Sequence, residues 1–224
     1  MKLNGVLFAA KIIHKHLIQP KSVVVDNYIR ECQLIATIDH SNIVQFIGLC
    51  KLPSESELPL LVMELMDSNL HDYLLDDNNA NIPNSLKQSI LEDVARGLSY
   101  LHNFKPQPLI HRDLTASNVL LDSALIAKIS DFGNSRFLPK DFNPAKLSKM
   151  PGTMVYMPPE AITQHYGTKL DIFSFGHLAL FTLTQVSVIS THHNACTMYN
   201  TTMLQYIGVS RKSFGACTLC EWGS

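Results

Sequence analysis

The chain has almost no surplus charge: 18 lysines and arginines stand against 19 aspartates and glutamates, for a formal net charge of −1. No basic excess is present to follow a phosphate backbone, and no polybasic run to hold an anionic bilayer. Nucleic acid and lipid surfaces are therefore not expected partners. Cysteine is sparse and odd in number: Cys32, Cys50, Cys196, Cys217 and Cys220. That spacing excludes a dense disulfide framework and favours a reducing, cytoplasmic setting. Internal repeats and low-complexity tracts are absent, which excludes solenoids and linker-like chains. A signal peptide is not expected either, because the apolar stretch Leu3 to Ala10 is short, broken by Asn4-Gly5 and followed at once by Lys11. Ile172 to Ile189 comes close to membrane-spanning length, but it carries His177 and many hydroxyls. A buried core helix is the expected structure there.

What is present suits a folded protein. Hydrophobic residues make up 46% of the 224 positions, enough for one good-sized domain or two small units sharing a core. Residues 6–13 read as a strand. Between Asp26 and Asp39, Tyr28, Cys32, Ile35 and Ile38 recur every three or four residues, the stripe of an amphipathic helix. Glu31 falls inside that stripe, and a carboxylate on a buried face needs a partner. Strands are expected over Ile43 to Cys50 and Leu60 to Leu65. Together these segments predict a small, mostly β unit with one helix.

Beyond it, Ser85-Leu86-Lys87-Gln88 reads as a capping box. The helix it opens buries Leu86, Ile90, Val94, Leu98 and Leu101 and runs to about Phe104. Val119–Leu121 and Ala127–Ile129 read as a hairpin. Residues 134–155 read as a long irregular loop, and Lys169 to about Gln185 as a strongly apolar helix. Cys217 and Cys220, with His192, His193 and Cys196 upstream, are too poorly spaced to predict a zinc site.

Six short motifs stand in order along this frame. They are Phe8-Ala9-Ala10-Lys11, Glu31 on the first helix, His111-Arg112-Asp113-Leu114-Thr115-Ala116-Ser117-Asn118, Asp131-Phe132-Gly133, Pro158-Pro159-Glu160, and Asp171-Ile172-Phe173-Ser174-Phe175-Gly176. Each alone is weak, and loop turn residues or a strand-end lysine would account for any one of them. Their order resembles the protein kinase catalytic domain. The resemblance implies an α+β, two-lobed fold over residues 1–185, with the small lobe at about 1–66, the larger helical lobe at about 67–185, and an unassigned tail at 186–224.

The resemblance also implies ATP and magnesium as cofactors, a protein hydroxyl as acceptor, and a role for each matching residue. Asp113 would be the catalytic base, Asn118 and Asp131 would hold magnesium, and Lys11 paired with Glu31 would hold the phosphates. Ala9 and Leu120 would enclose the adenine, and the backbone of Glu64 and Met66 would bond its edge, with Met63 as gatekeeper. Ile35, Phe46, His111 and Phe132 would stack between the lobes above Asp171. Arg112 would receive a phosphate on Ser148 or Thr153.

The match departs from the family in several places. No Gly-x-Gly-x-x-Gly precedes Lys11, and residues 186–224 show no family pattern, so the fold is expected to be incomplete at both ends. Thr115 and Ser117 replace the residues that usually mark serine/threonine and tyrosine kinases respectively. Gly152-Thr153-Met154-Val155-Tyr156 favours serine/threonine specificity. An inactive fragment that binds partners is the alternative expectation.

Overall fold

In the computed structural model the described residues are 1–3, 5–12, 23–51, 59–79, 81–138 and 167–185. The first lobe is a four-stranded sheet of β1 (Lys2–Leu3), β2 (Val6–Lys11), β3 (Phe46–Cys50) and β4 (Leu60–Glu64), in the order β1-β2-β4-β3. Helix α1 (Val23–Ile35) accompanies it. The pairings within this sheet are antiparallel, and Ala9 and Lys11 face Met63 and Leu61 across the β2–β4 ladder. The first hairpin turns at Gly5, whose φ of 86° lies in the left-handed region that glycine adopts without steric cost. An Asn-Gly pair is a hairpin signal, so β1 was readable where only an interruption was expected.

The second lobe follows with β5 (Ser68–Asn69), α2 (Leu70–Leu75), α3 (Asn84–His102) and β6 (Leu109–Ile110). It continues with the hairpin β7 (Val119–Leu121) and β8 (Ala127–Ile129), then β9 (Arg136–Phe137) and α4 (Lys169–Thr184). The apolar stripes bury as their spacing requires. Tyr28, Cys32, Ile35 and Ile38 are all under 9% exposed, and Ile90, Val94, Leu98 and Leu101 are at 0%. Helix α4 is buried on most sides from Leu170 to Thr182, as expected for the apolar segment. No described helix is long and apolar enough to cross a membrane.

Two local expectations are corrected. Ser85 is not a cap: α3 begins one residue earlier, at Asn84 behind Pro83, with no side-chain cap bond. The Pro83 carbonyl instead accepts from Leu86 N (3.0 Å) and Lys87 N (3.2 Å), starting the ladder without a capping box. The strand expected from Ile43 begins only at Phe46. The residues before it are engaged elsewhere, because Val44 N donates to Ile129 O and Ile129 N to Asn42 O, both at 3.0 Å. Asn42 Nδ2 adds a bond to Ala127 O at 3.1 Å. The backbone of 42–44 thus joins the small lobe to β8 of the large one.

That seam needs close approach. Gly97 of α3 lies beneath it, where an added Cβ would sit 2.8 Å from Asn42 O and 2.9 Å from Ile129 Cδ1. On the same helix, buried Asp93 accepts from Ala127 N (3.0 Å) and from Arg96 Nη1 (2.6 Å), anchoring the start of β8.

Candidate active site

Lys11 ends β2, Glu31 projects from the buried stripe of α1, and Asp131 follows β8. The fold brings these three distant positions together. Lys11 Nζ donates to both Glu31 oxygens at 2.7 Å and to Asp131 Oδ1 at 2.9 Å. The exposures differ in a useful way: the Glu31 side chain is 3% exposed, Lys11 35% and Asp131 44%. Glu31 is thus the buried foot of the group, and Lys11 and Asp131 its open face.

Burial pushes the Glu31 carboxyl above the ordinary glutamate range, with the Lys11 ammonium pulling the other way. Burial works against the charged form of Lys11 too, yet the two carboxylates beside it win and raise its pKa. Asp131 moves down: desolvation opposes its charge, but Lys11 and the Gly133 N–H hold it below the usual aspartate range. The three N–H donors of Lys11 are all taken by these two carboxyls, two by buried Glu31 and one by the more open Asp131.

Asp131 itself sits at φ 61°, ψ 77°, left-handed for a non-glycine residue. It caps the short turn Phe132–Asn134 by accepting from Gly133 N at 3.4 Å. A Cβ at Gly133 would lie 3.3 Å from Asp131 Oδ1 and 3.5 Å from Glu31 Oε2, a snug fit against both carboxyls.

The other half of the site hangs from a buried carboxylate. Asp171, 0% exposed at the start of α4, accepts from His111 N and Arg112 N at 2.9 Å each, and contacts His102 Nε2 at 2.8 Å. This fixes the loop leading into Asp113, with Arg112 held at φ 73°. His111 lies edge-on to Phe132 at 5.1 Å, and its Nε2 meets Ser130 O at 2.9 Å. Ile35 and Phe132 share the buried core, and Phe46 packs against that core.

Asn118 Nδ2 donates to Asp113 O at 2.8 Å and to Asp113 Oδ2 at 3.3 Å. Ser130 N and Ser130 Oγ both bond Asn118 O at 2.9 Å, extending the β7–β8 hairpin so that Asp131 follows directly. With its amide nitrogen committed to Asp113, Asn118 has its amide oxygen as the acceptor a cation would take. A carboxylate oxygen and an amide oxygen form a hard donor set that suits Mg²⁺. Among the described residues no group of three His, Cys, Asp or Glu side chains could hold a metal ion alone. Magnesium here would need phosphate oxygens to complete its shell.

Ala9 and Leu120 are both half-buried, on β2 and β7. Glu64 closes β4, and its N–H is committed to Gln45 O at 3.1 Å, so the backbone group it has to offer an adenine edge is its carbonyl. Met66 follows it, half-buried, in the strandless link to β5.

Two contacts were not foreseen. Lys128 Nζ reaches both oxygens of Glu64, at 2.8 and 2.7 Å, tying the link between lobes to β8. Asn134 Nδ2 reaches Asp113 Oδ2 at 3.2 Å. Glu64 was read only for its backbone, and nothing in the spacing of Asn134 distinguishes it from a turn residue. Pro158, Pro159, Glu160, Ser148, Thr153 and the cysteines and histidines beyond residue 185 lie outside the described residues.

A family model of the protein kinase domain matches residues 1–214. The chain belongs to the protein kinase family. Its relatives include the G-type lectin S-receptor-like serine/threonine-protein kinase B120 of Arabidopsis thaliana, 42% identical over 159 residues, covering 70% of this chain and 18% of that protein. The cysteine-rich receptor-like protein kinase 14 of the same organism is 35% identical over 179 residues, 79% of this chain and 27% of the relative. Cysteine-rich receptor-like protein kinase 10 of Oryza sativa subsp. japonica is 37% identical over 177 residues, with shares of 78% and 27%. The kinase chain described here thus spans about a fifth to a quarter of the length of these curated relatives. The serine/threonine leaning of its glycine-threonine segment agrees with the serine/threonine kinases among them.

Proposed function

We propose that this kinase transfers the γ-phosphate of ATP to a serine or threonine hydroxyl of a protein, with Mg²⁺ as cofactor. The observation that carries the reading is Lys11 Nζ held between Glu31 at 2.7 Å and Asp131 at 2.9 Å, at the end of the strand carrying Ala9. In the proposed reaction Lys11 binds the α- and β-phosphates, with Glu31 keeping its ammonium in place. Asn118 and Asp131 would hold magnesium, which when bound supplies neutralising charge to the phosphates. Asp113 accepts the proton of the acceptor hydroxyl as its oxygen bonds to the γ-phosphorus and the bridging oxygen leaves with ADP. Ala9, Leu120 and the backbone of Glu64 and Met66 orient the adenine. A cytoplasmic location is part of the proposal, and free Cys32 and Cys50 are compatible with it.

The test is transfer of labelled γ-phosphate to serine/threonine peptides, beside calorimetric titration of ATP with and without magnesium. Transfer lost in Asp113→Asn, with magnesium-enhanced ATP binding lost in Asp131→Asn, is the expected pair of results. ATP binding without Asp113-dependent transfer would instead support a silent binding protein.

A further inference from the structure

We infer that Asn134 is a positioning residue for the base, holding the Asp113 carboxylate through one oxygen; this rests on the kinase reading above. The register explains how a residue from the turn after Asp131 arrives there. Strand β6 runs directly into His111, Arg112 and Asp113, while β9 is preceded by Asn134 and Ser135, and the two strands pair antiparallel with Ile110 opposite Arg136. Continuing that register inward sets Ser135 beside His111, and the Ser135 hydroxyl does donate to His111 O at 3.2 Å. One step further in, Asn134 comes alongside Arg112 and Asp113, and its amide nitrogen meets Asp113 Oδ2 at 3.2 Å.

The identity of the atoms follows from their chemistry. A carboxylate only accepts, so the amide face turned toward it is the nitrogen. Asn118 approaches the same oxygen at 3.3 Å from the other direction in sequence. One carboxylate oxygen therefore lies between two amide donors, one from the catalytic loop and one from the turn behind Phe132. Fixing Oδ2 fixes the direction of Oδ1 as well, and with it the line along which a hydroxyl proton is taken.

The amide is not needed to hold its own turn. That turn is closed by the Asp131 side chain on Gly133 N at 3.4 Å and by Ser135 N on Phe132 O at 3.0 Å. Asn134 is left to serve its neighbour across the β6–β9 pair. Because it rides on the turn that seats Phe132 and Asp131, the second of the two donors on the base is in place only when that turn is.

Three forms of the kinase test this: wild type, Asn134→Leu, which removes the donor at similar size, and Asn134→Asp, which keeps the shape but sets a carboxylate against Asp113. Each is measured for kcat, KM for ATP and melting temperature. The expected order of kcat is Asn134 above Asn134→Leu above Asn134→Asp. The leucine form should lose about ten- to hundredfold, with KM for ATP and melting temperature unchanged. The Asn134 side-chain amide resonances in ¹⁵N–¹H spectra should also shift on Asp113→Ala, a contact readout independent of turnover. Equal kcat in all three forms, or a fall matched by an equal loss of melting temperature, overturns the inference while leaving the kinase reading intact. A wild type no more active than Asp113→Asn overturns both.

Discussion

The two halves of the site are held by different means. Lys11, Glu31 and Asp131 come from a strand, a helix and a turn, and what joins them is side-chain charge, at 2.7 and 2.9 Å. Asp113 and Asn118 stand on a loop whose backbone N–H groups are bound by a fully buried carboxylate, Asp171. A side-chain ion pair can open without unfolding anything, whereas a buried carboxylate serving two backbone donors cannot be released without exposing all of them. The half proposed to hold phosphate is therefore adjustable, and the half proposed to carry the base is built in.

Asp113→Ala should give the largest effect, a fall in turnover of about 10²–10⁴-fold with ATP affinity nearly unchanged. Steady-state kinetics beside an ATP titration checks it. An equal loss of ATP affinity would mean that the halves are not separable.

Asp171→Ala tests the built-in half directly. Two buried backbone donors lose their acceptor, and unfolding by denaturant should show a loss of about 3 kcal/mol or more. A loss below about 1 kcal/mol would show that the loop keeps its shape without the carboxylate.

Gly97→Ala probes the seam between lobes. A methyl 2.8 Å from a backbone oxygen that already receives Ile129 N forces α3 and β8 apart. The expected cost is about 1–3 kcal/mol, read in the same denaturant experiment.

Glu31→Gln should give a modest change in stability, because the glutamine Oε1 can still accept from Lys11 Nζ and Asp131 stays beside it, while weakening ATP binding. The sign follows from linkage. With its carboxyl raised by burial, folded Glu31 binds protons more readily than the unfolded chain, so its contribution to stability declines as pH rises through that raised range. Lys11 acts at the other end: its pKa is raised, so its contribution is present below the ordinary lysine value and lost only in alkali. Asp131 is depressed, and its contribution is lost as pH falls below the usual aspartate range. Melts from about pH 4 to about pH 8 should show the glutamine form losing less stability with rising pH than wild type. The opposite slope would contradict the burial argument.

Much of this arrangement is legible in the sequence. The stripes of α1 and α3 announce their buried faces because helical spacing is a local property, and Glu31 inside one stripe called for the cation that Lys11 supplies. Asp113, Asn118 and Asp131 were placed by their motifs. The misses share a physical cause. Gly97, the pair of Lys128 with Glu64, and Asn134 matter only through neighbours distant in sequence, and no local pattern encodes such an approach. The start of α3 was misplaced for the reverse reason, since Ser85 satisfies a local rule that the Pro83 carbonyl makes unnecessary.

The backbone seam at 42–44 has a mechanical consequence. It follows the C-terminal end of α1 by seven residues, so the Ile35 end of the helix is the end tethered near β8, and Glu31 lies close to that end. Glu31 stands four residues before Ile35, about 6 Å along the axis at helical rise, and Val23 about 18 Å. A tilt of about 10° would carry Glu31 about 1 Å, enough to stretch a 2.7 Å contact out of hydrogen-bonding range, and the far end about 3 Å. Whatever presses on the distal end of α1 thus works on Lys11 at roughly threefold mechanical advantage.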